Sequence, residues 1–145
     1  MSLYLADSSI WVARRRPGAE TLRSTFIERF RRGEIATCVP IALEVLTAAR
    51  DAEAYDRDWG TVWKALFWLP MRERALQRAL DLQRELAAAG GHRCSPATFL
   101  VAACALEASE EVVVWHCDPC LRVICEHTEQ PQELAVDLTG TPAPA

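Results

Sequence analysis

Short apolar segments alternate along this chain with longer stretches of helical periodicity, and no tight-turn pair joins two apolar segments. Strands that lack hairpin connections pair through crossovers. The pattern therefore predicts an α/β layered domain, with a central, mostly parallel sheet of four to five strands flanked by helices. The strand candidates are Leu3 to Ala6, Ile35 to Cys38, Leu66 to Leu69, Val112 to Trp115 and, at an edge, Leu134 to Leu138. A short helical stretch after Asp7 is broken by Pro17-Gly18. From Glu20 to Arg32, the residues Leu22, Phe26, Ile27 and Phe30 recur at helical spacing until Gly33 stops the run. Pro40 suits the first turn of a helix reaching Arg50, and residues 52–66 read as another. An amphipathic stretch from Arg72 to Ala89 is closed by Gly90-Gly91. Ser95-Pro96 caps a helix to about Ser109, and Pro119 opens a short one.

With 145 residues, 50% hydrophobic and 25% charged, the chain has material for one domain with a real core, which excludes a disordered or low-complexity scaffold. That domain is expected over 1–138, with a short flexible tail, TGTPAPA, over 139–145. Charges interrupt every apolar run before it reaches the length of a membrane span, and Asp7 comes too early for a signal-peptide core. A cytoplasmic protein is the expectation. The net charge of −4 does not advertise nucleic-acid binding. The first fifty residues nevertheless carry eight arginines against five acids, with Arg14, Arg15 and Arg16 in one run. That run is either a solvated face or an edge that contacts phosphates.

Ligand sites in a parallel sheet form at the carboxyl ends of the strands. Two of the predicted strands run into an acid there: LYLA into Asp7-Ser8-Ser9, and VVVW through His116-Cys117 into Asp118. As parallel neighbours they would share one rim, although each aspartate also has the setting of a helix N-cap. Glu44 has Pro40, Ile41, Thr47 and Ala48 as its helical neighbours, none of them a cation. A carboxylate on so apolar a face calls for a positive partner, and a divalent cation shared with Asp7 and Asp118 would be one.

Four segments in this order carry a resemblance: YLADSSIWV, VPIALEVL around Glu44, SPATFLVAACALE and VVVWHCDPCLRVI. The chain resembles PIN domains, specifically the VapC toxins of bacterial type II toxin–antitoxin systems, from residue 3 to about 137. The resemblance implies a PIN-like three-layer fold and a magnesium-dependent endoribonuclease (manganese being the alternative ion) acting on RNA. It also implies a homodimer silenced by a cognate antitoxin, here expected to lay an amphipathic segment in an apolar groove beside the rim. By position, Asp7, Glu44 and Asp118 match family acids and take the catalytic and metal-ligand roles, with Ser9 the supporting hydroxyl. The chain departs from the pattern at two places. Thr98, in TFLVAA, stands where the third acid precedes the helix run, and Cys120 stands where the His-x-Asp-x-Asp pattern ends. Asp7, Glu44 and Asp118 still meet the one or two carboxylates that Mg²⁺ commonly takes from protein, with Ser9 or Thr98 on a bound water and Arg14, Arg15 and Arg16 toward RNA. The alternative is a degenerate PIN-like domain with little or no nuclease activity, acting through antitoxin, RNA or its own copy.

Six cysteines are present, at 38, 94, 104, 117, 120 and 125. Cys38 and Cys104 lie in apolar runs, as small core residues do. The Cys117-Asp118-Pro119-Cys120 order also fits a thioredoxin-type redox motif, but only 25 residues follow it, too few for the rest of such a sheet. Zinc ligation would draw on Cys117, Cys120, Cys125 and His116 or His127, without a second C-x-x-C pair. The reading favoured by spacing is ordinary thiols near a rim. Trp59, Trp63, Phe67 and Trp68 suit core or dimer packing, or base stacking if exposed.

Overall fold

The structure, a computed structural model, describes residues 2–135. The expected tail and residues 136–138 of the last strand candidate lie outside them. Five parallel strands form one sheet in the order β3-β2-β1-β4-β5: β1 Leu3–Ala6, β2 Ile35–Thr37, β3 Phe67–Trp68, β4 Val112–His116 and β5 Gln132–Leu134. The helices are α1 Ser8–Ala13, α2 Glu20–Arg31, α3 Val39–Leu46, α4 Ala52–Thr61, α5 Glu73–Ala87, α6 Pro96–Leu106 and α7 Pro119–Thr128. No helix among the described residues is long and apolar enough to cross a membrane.

Most boundaries follow the sequence signals. Gly33 and Gly90 take left-handed conformations, with φ of +70° and +78°, just past α2 and α5. The helix expected over 52–66 ends at Thr61 and continues as a 3₁₀ turn, Trp63–Ala65, which buries Trp63. The last strand begins earlier than Leu134. Glu129 ends α7 in the left-handed region, with φ of 58°, and this reverses the chain without a glycine to mark it. Pairing starts at once: Val114 N–H donates to Pro131 O (2.9 Å) and Ala135 N–H to His116 O (2.9 Å).

Both faces of the central strands are buried, as a parallel sheet requires. Leu3, Leu5, Val112 and Val114 fill one face, while Ala6 and Trp115 lie on the other. Nearly every residue of α6 after Ala97 is at least half-buried, as its uniformly apolar sequence demands. Under α1 and α2 lies an aromatic cluster. Trp11 stacks on Trp63 at 4.3 Å, meets Phe26 edge-on at 4.9 Å, and donates its indole N–H to Ala6 O (3.1 Å). Trp63 and Trp68 thus pack inward, whereas Trp59 and Phe67 stay about 40% exposed.

Arg29 of α2 ties three strands together. Its guanidinium lies 3.6 Å from the Tyr4 ring centroid on β1 and 4.4 Å from that of Trp115 on β4, and it forms a two-pronged ion pair with Glu133 on β5. The Arg29 side chain is only 14% exposed, so the stacking and the pairing both act in a partly desolvated setting. Arg29→Ala is expected to lower stability by roughly 2–3 kcal/mol in urea melts, since it removes the stacked cation and strands Glu133. Arg29→Lys should recover less than half of this, because an ammonium offers neither the planar fork nor the flat stacking surface.

Candidate functional site

The pairing of β1 with β4 places Asp7 beside the end of β4, with Asp7 N–H donating to Trp115 O at 3.0 Å. Asp7 caps α1: its Oδ2 accepts from Ser9 N–H (3.0 Å) and Ser9 Oγ (2.6 Å). Ser9 Oγ in turn accepts from Cys117 N–H at 3.1 Å, so a single hydroxyl links the ends of the two strands. Asp118 caps α7 through Cys120 N–H, which donates to its Oδ1 at 2.8 Å. Each aspartate is therefore both a cap and a member of the rim, because in a parallel sheet the strand ends are where the next helices begin.

Glu44 reaches the same rim from α3. Its Oε2 accepts from Ser8 Oγ at 3.3 Å. The residue is solvent-exposed as a whole, yet partial desolvation, then the Asp7 charge and more weakly that of Asp118, raise its carboxyl above the ordinary glutamate range, while the Ser8 bond opposes them. Asp7 is only 4% exposed. Burial pushes its carboxyl up, the Ser9 bonds oppose this, and the Asp118 charge adds to the rise. None of the three acids has an ion-pair partner among the described residues. Nor, among those residues, are any three His, Cys, Asp or Glu side chains packed closely enough to hold one ion as they stand. The donor set is thus an open one. It fits a hydrated hard cation that takes one or two carboxylates and keeps its waters, not a closed protein cage.

Thr98 is buried in the first turn of α6, and its Oγ1 is engaged by Ser95 Oγ at 3.0 Å. The arginine run divides. Arg14 stacks its guanidinium 4.9 Å from the Trp11 ring centroid and 4.6 Å from that of Phe26, and its buried Nε has no hydrogen-bond partner. Arg15 and Arg16 are exposed, and the Arg16 charge reaches Cys117, whose thiol is pushed up chiefly by burial. Arg23 Nη1 donates to the Arg14 and Arg16 carbonyls, both at 3.0 Å, which fixes this turn beside α1. A small cavity of about 90 Å³ between α1, α3 and α4 is lined by Trp11, Arg14, Val45, Leu46, Val62 and Trp63 among others.

Two features were not found in the sequence. His116 is fully buried; its Nδ1 accepts from Asp118 N–H (3.1 Å) and its Nε2 bonds Gln132 Oε1 (2.8 Å), so the ring holds the Asp118 turn against β5. Its place in the strand-to-acid segment was the available signal. The second corrects an expectation. Cys120 is not a free thiol but is joined to Cys94, with the Cα atoms 5.8 Å apart and the two positions separated by 26 in sequence. Nothing in that spacing announces the pair, which exists because the first turns of α6 and α7 lie side by side. Cys38 and Cys104 are core residues as expected, and Cys117 and Cys125 are free. Burial pushes the Cys125 thiol up to about 12.

The sequence matches no family model and no curated protein. Solved structures do match. A VapBC-1 structure from nontypeable Haemophilus influenzae aligns over 96% of this chain and 99% of its own, at 16% identity and a TM-score of 0.68. VapBC2 from Rickettsia felis, bound to a promoter DNA fragment, aligns over 92% and 98%, at 14% identity and 0.65. DNA-bound VapBC from Salmonella typhimurium aligns over 92% and 98%, at 19% and 0.61. The fold is PIN-like. At these identities the likeness establishes the architecture alone.

The burial of Asp7 has a measurable consequence. A carboxyl whose folded pKa is raised stabilises the fold fully below its ordinary pKa, and that contribution is lost as pH rises through the raised folded value. Asp7→Asn retains an acceptor for Ser9 and removes the buried charge. Its thermal midpoint in metal-free buffer should exceed that of the parent by several degrees at pH 7. The gap should close as pH falls through the raised pKa toward the ordinary aspartate value. Calorimetry across pH checks this, and a variant less stable than the parent at every pH would contradict it.

Proposed function

We propose that the chain is the toxin of a toxin–antitoxin pair, a metal-dependent endoribonuclease that hydrolyses phosphodiester bonds in single-stranded or loop RNA. The observation that carries this reading is the acidic rim: Asp7 and Asp118 at adjacent parallel strand ends, Glu44 near Asp7, and no ion pair to any of the three among the described residues. Mutual repulsion among such groups is costly unless a cation relieves it. Asp7, Asp118 and Glu44 would hold that cation, Mg²⁺ or Mn²⁺, through their free oxygens, with Ser9 orienting Asp7 and the Thr98 hydroxyl within the supporting shell. When bound, such an ion polarises a phosphate and lowers the pKa of an attacking water. The chain's own part is to fix the carboxylates: α1 and α7 lock Asp7 and Asp118 by their capping bonds, and the Ser9 bridge sets one strand end against the other. Exposed Arg16, whose charge reaches Cys117, and its exposed neighbour Arg15 suit an RNA backbone.

The fold shared with VapBC structures supports an antitoxin as partner, with the α1–α3–α4 cavity as one anchor point for an amphipathic segment. Two exposed apolar pairs at helical spacing, Val39 with Leu43 on α3 and Leu76 with Leu80 on α5, support a homodimer. The degenerate reading, binding without cleavage, is favoured by the openness of the donor set and by Thr98 and Cys120 in place of further acids.

Cleavage of a loop-containing RNA by purified protein, with and without Mg²⁺ or Mn²⁺, tests the proposal. Asp7→Asn and Asp118→Asn should each lower the rate by at least about 100-fold, more than the 10–100-fold typical of outer-shell partners. Mn²⁺ should raise the thermal midpoint of the parent and not that of Asp7→Asn. Thr98→Asp adds an acid in the first turn of a helix, where negative charge is favoured, and should bind Mn²⁺ more tightly and cleave faster. No cleavage by parent or Thr98→Asp with either ion would leave the non-catalytic reading.

A further inference from the structure

The rim carries a covalent link that the proposed chemistry does not use. Cys94 immediately precedes Ser95, the cap of α6, whose Oγ bonds both Thr98 N–H (3.3 Å) and Thr98 Oγ1 (3.0 Å). Cys120 stands in the first turn of α7, and its N–H is the donor that holds Asp118 Oδ1 at 2.8 Å. The Cys94–Cys120 bond therefore joins the two helix starts that present Thr98 and Asp118. Both cysteines are half-buried and partly open to solvent, whereas Cys38, Cys104 and Cys125 are buried.

We propose that Cys94 and Cys120 form a thiol–disulfide exchange site through which low-molecular-weight thiols control the order of the rim. In the forward direction, a thiolate attacks one sulfur of the bridge, and the Cys94–Cys120 bond breaks. The bonding electron pair leaves on the other cysteine, which takes up a proton. A second small thiol then attacks the mixed disulfide and releases the remaining cysteine. Two small thiols are oxidised to one disulfide as the protein gains two thiols, and a small-molecule disulfide drives the reverse. Oxidation ties the first turns of α6 and α7 together. Reduction removes the covalent tie and leaves Asp118 held by its capping bond and by the His116 ring, and Thr98 by Ser95, so the oxidised state is the more ordered one. Its consequence for cation binding rests on the proposed function; the exchange site itself does not.

The test uses the full chain equilibrated with either an oxidised or a reduced dithiol. Thiol titration under denaturing conditions should count four free cysteines in the first state and six in the second. Amide exchange at Thr98 and Cys120 should be about tenfold faster or more in the reduced protein, and Mn²⁺ affinity should fall about tenfold, the scale of losing one supporting partner. Cys94→Ser and Cys120→Ser should each behave as the reduced protein, since serine preserves the Cys120 N–H bond to Asp118. The Cys94→Ser/Cys120→Ser double variant should not respond to the dithiol, which excludes the other four cysteines as the cause. If either single variant fails to fold, the reduced parent supplies the same comparison. Six free thiols in both states, or rim amide rates that agree within about twofold, would overturn the inference. Faster rim exchange with no Mn²⁺ binding in either state would uphold the exchange site and reject the cation reading.

Discussion

The constraint from which the rest of the site follows is the parallel pairing of β1 with β4. Side-by-side strands pointing the same way end on the same edge, and here both run into an aspartate. Asp7 is the more demanding of the two, because its carboxylate is almost wholly buried with hydrogen bonds only from Ser9. Hydrogen bonds from a backbone amide and a hydroxyl offset part of the desolvation penalty but supply no charge. The structure around Asp7 is arranged to carry that deficit: Ser9 bridges to Cys117, α1 directs the Ser9 amide toward the carboxylate, and Trp11 clamps the start of the helix by its bond to Ala6. Burial is the main cause of the rise in the Asp7 carboxyl, and the negative charge of Asp118 adds to it.

The far side of the sheet explains how this cost is tolerated. Arg29 stacks on Tyr4 and Trp115 and pairs with Glu133, so one side chain of α2 fixes β1, β4 and β5 relative to one another. Phe26 extends the same surface, 6.1 Å from Trp115 and 4.9 Å from Trp11. The aromatic cluster therefore connects the underside of the central strands to α1, whose first residues form the rim.

Much of this was legible in the sequence because it depends on local signals. The apolar runs, Gly33, Gly90, the proline first turns and the strand-to-acid segments fixed the parallel α/β class and the carboxyl-end positions of Asp7 and Asp118. Glu44 was singled out by the absence of cations at helical spacing around it; in the structure it is exposed, with the Ser8 hydroxyl bonded to its carboxylate. What escaped was set by tertiary proximity. Cys94 and Cys120 are distant in sequence and carry no motif; only the adjacency of two helix starts pairs them. His116 looked like a metal ligand or a bystander, since its two partners, Asp118 N–H and Gln132, come from opposite sides of the strand end. The early start of β5 was hidden because Glu129 adopts a conformation that a glycine or asparagine would have announced.

The two departures from the resembled acidic pattern make physical sense as a pair. Each further carboxylate at this rim would raise the repulsion already evident between Asp7, Glu44 and Asp118. With Thr98 and Cys120 instead, the rim carries less negative charge, and the fold depends less on a cation to hold it together. A covalent bond between the starts of α6 and α7 then supplies order that shared coordination would otherwise provide. The exchange is not neutral for chemistry. Charge at the rim attracts a hard cation and concentrates it, whereas a disulfide orders the helix starts without attracting anything. On the proposed function, a rim built this way would be ordered in advance of a cation and would bind it more weakly than one with further carboxylates, so its occupancy would follow ion concentration.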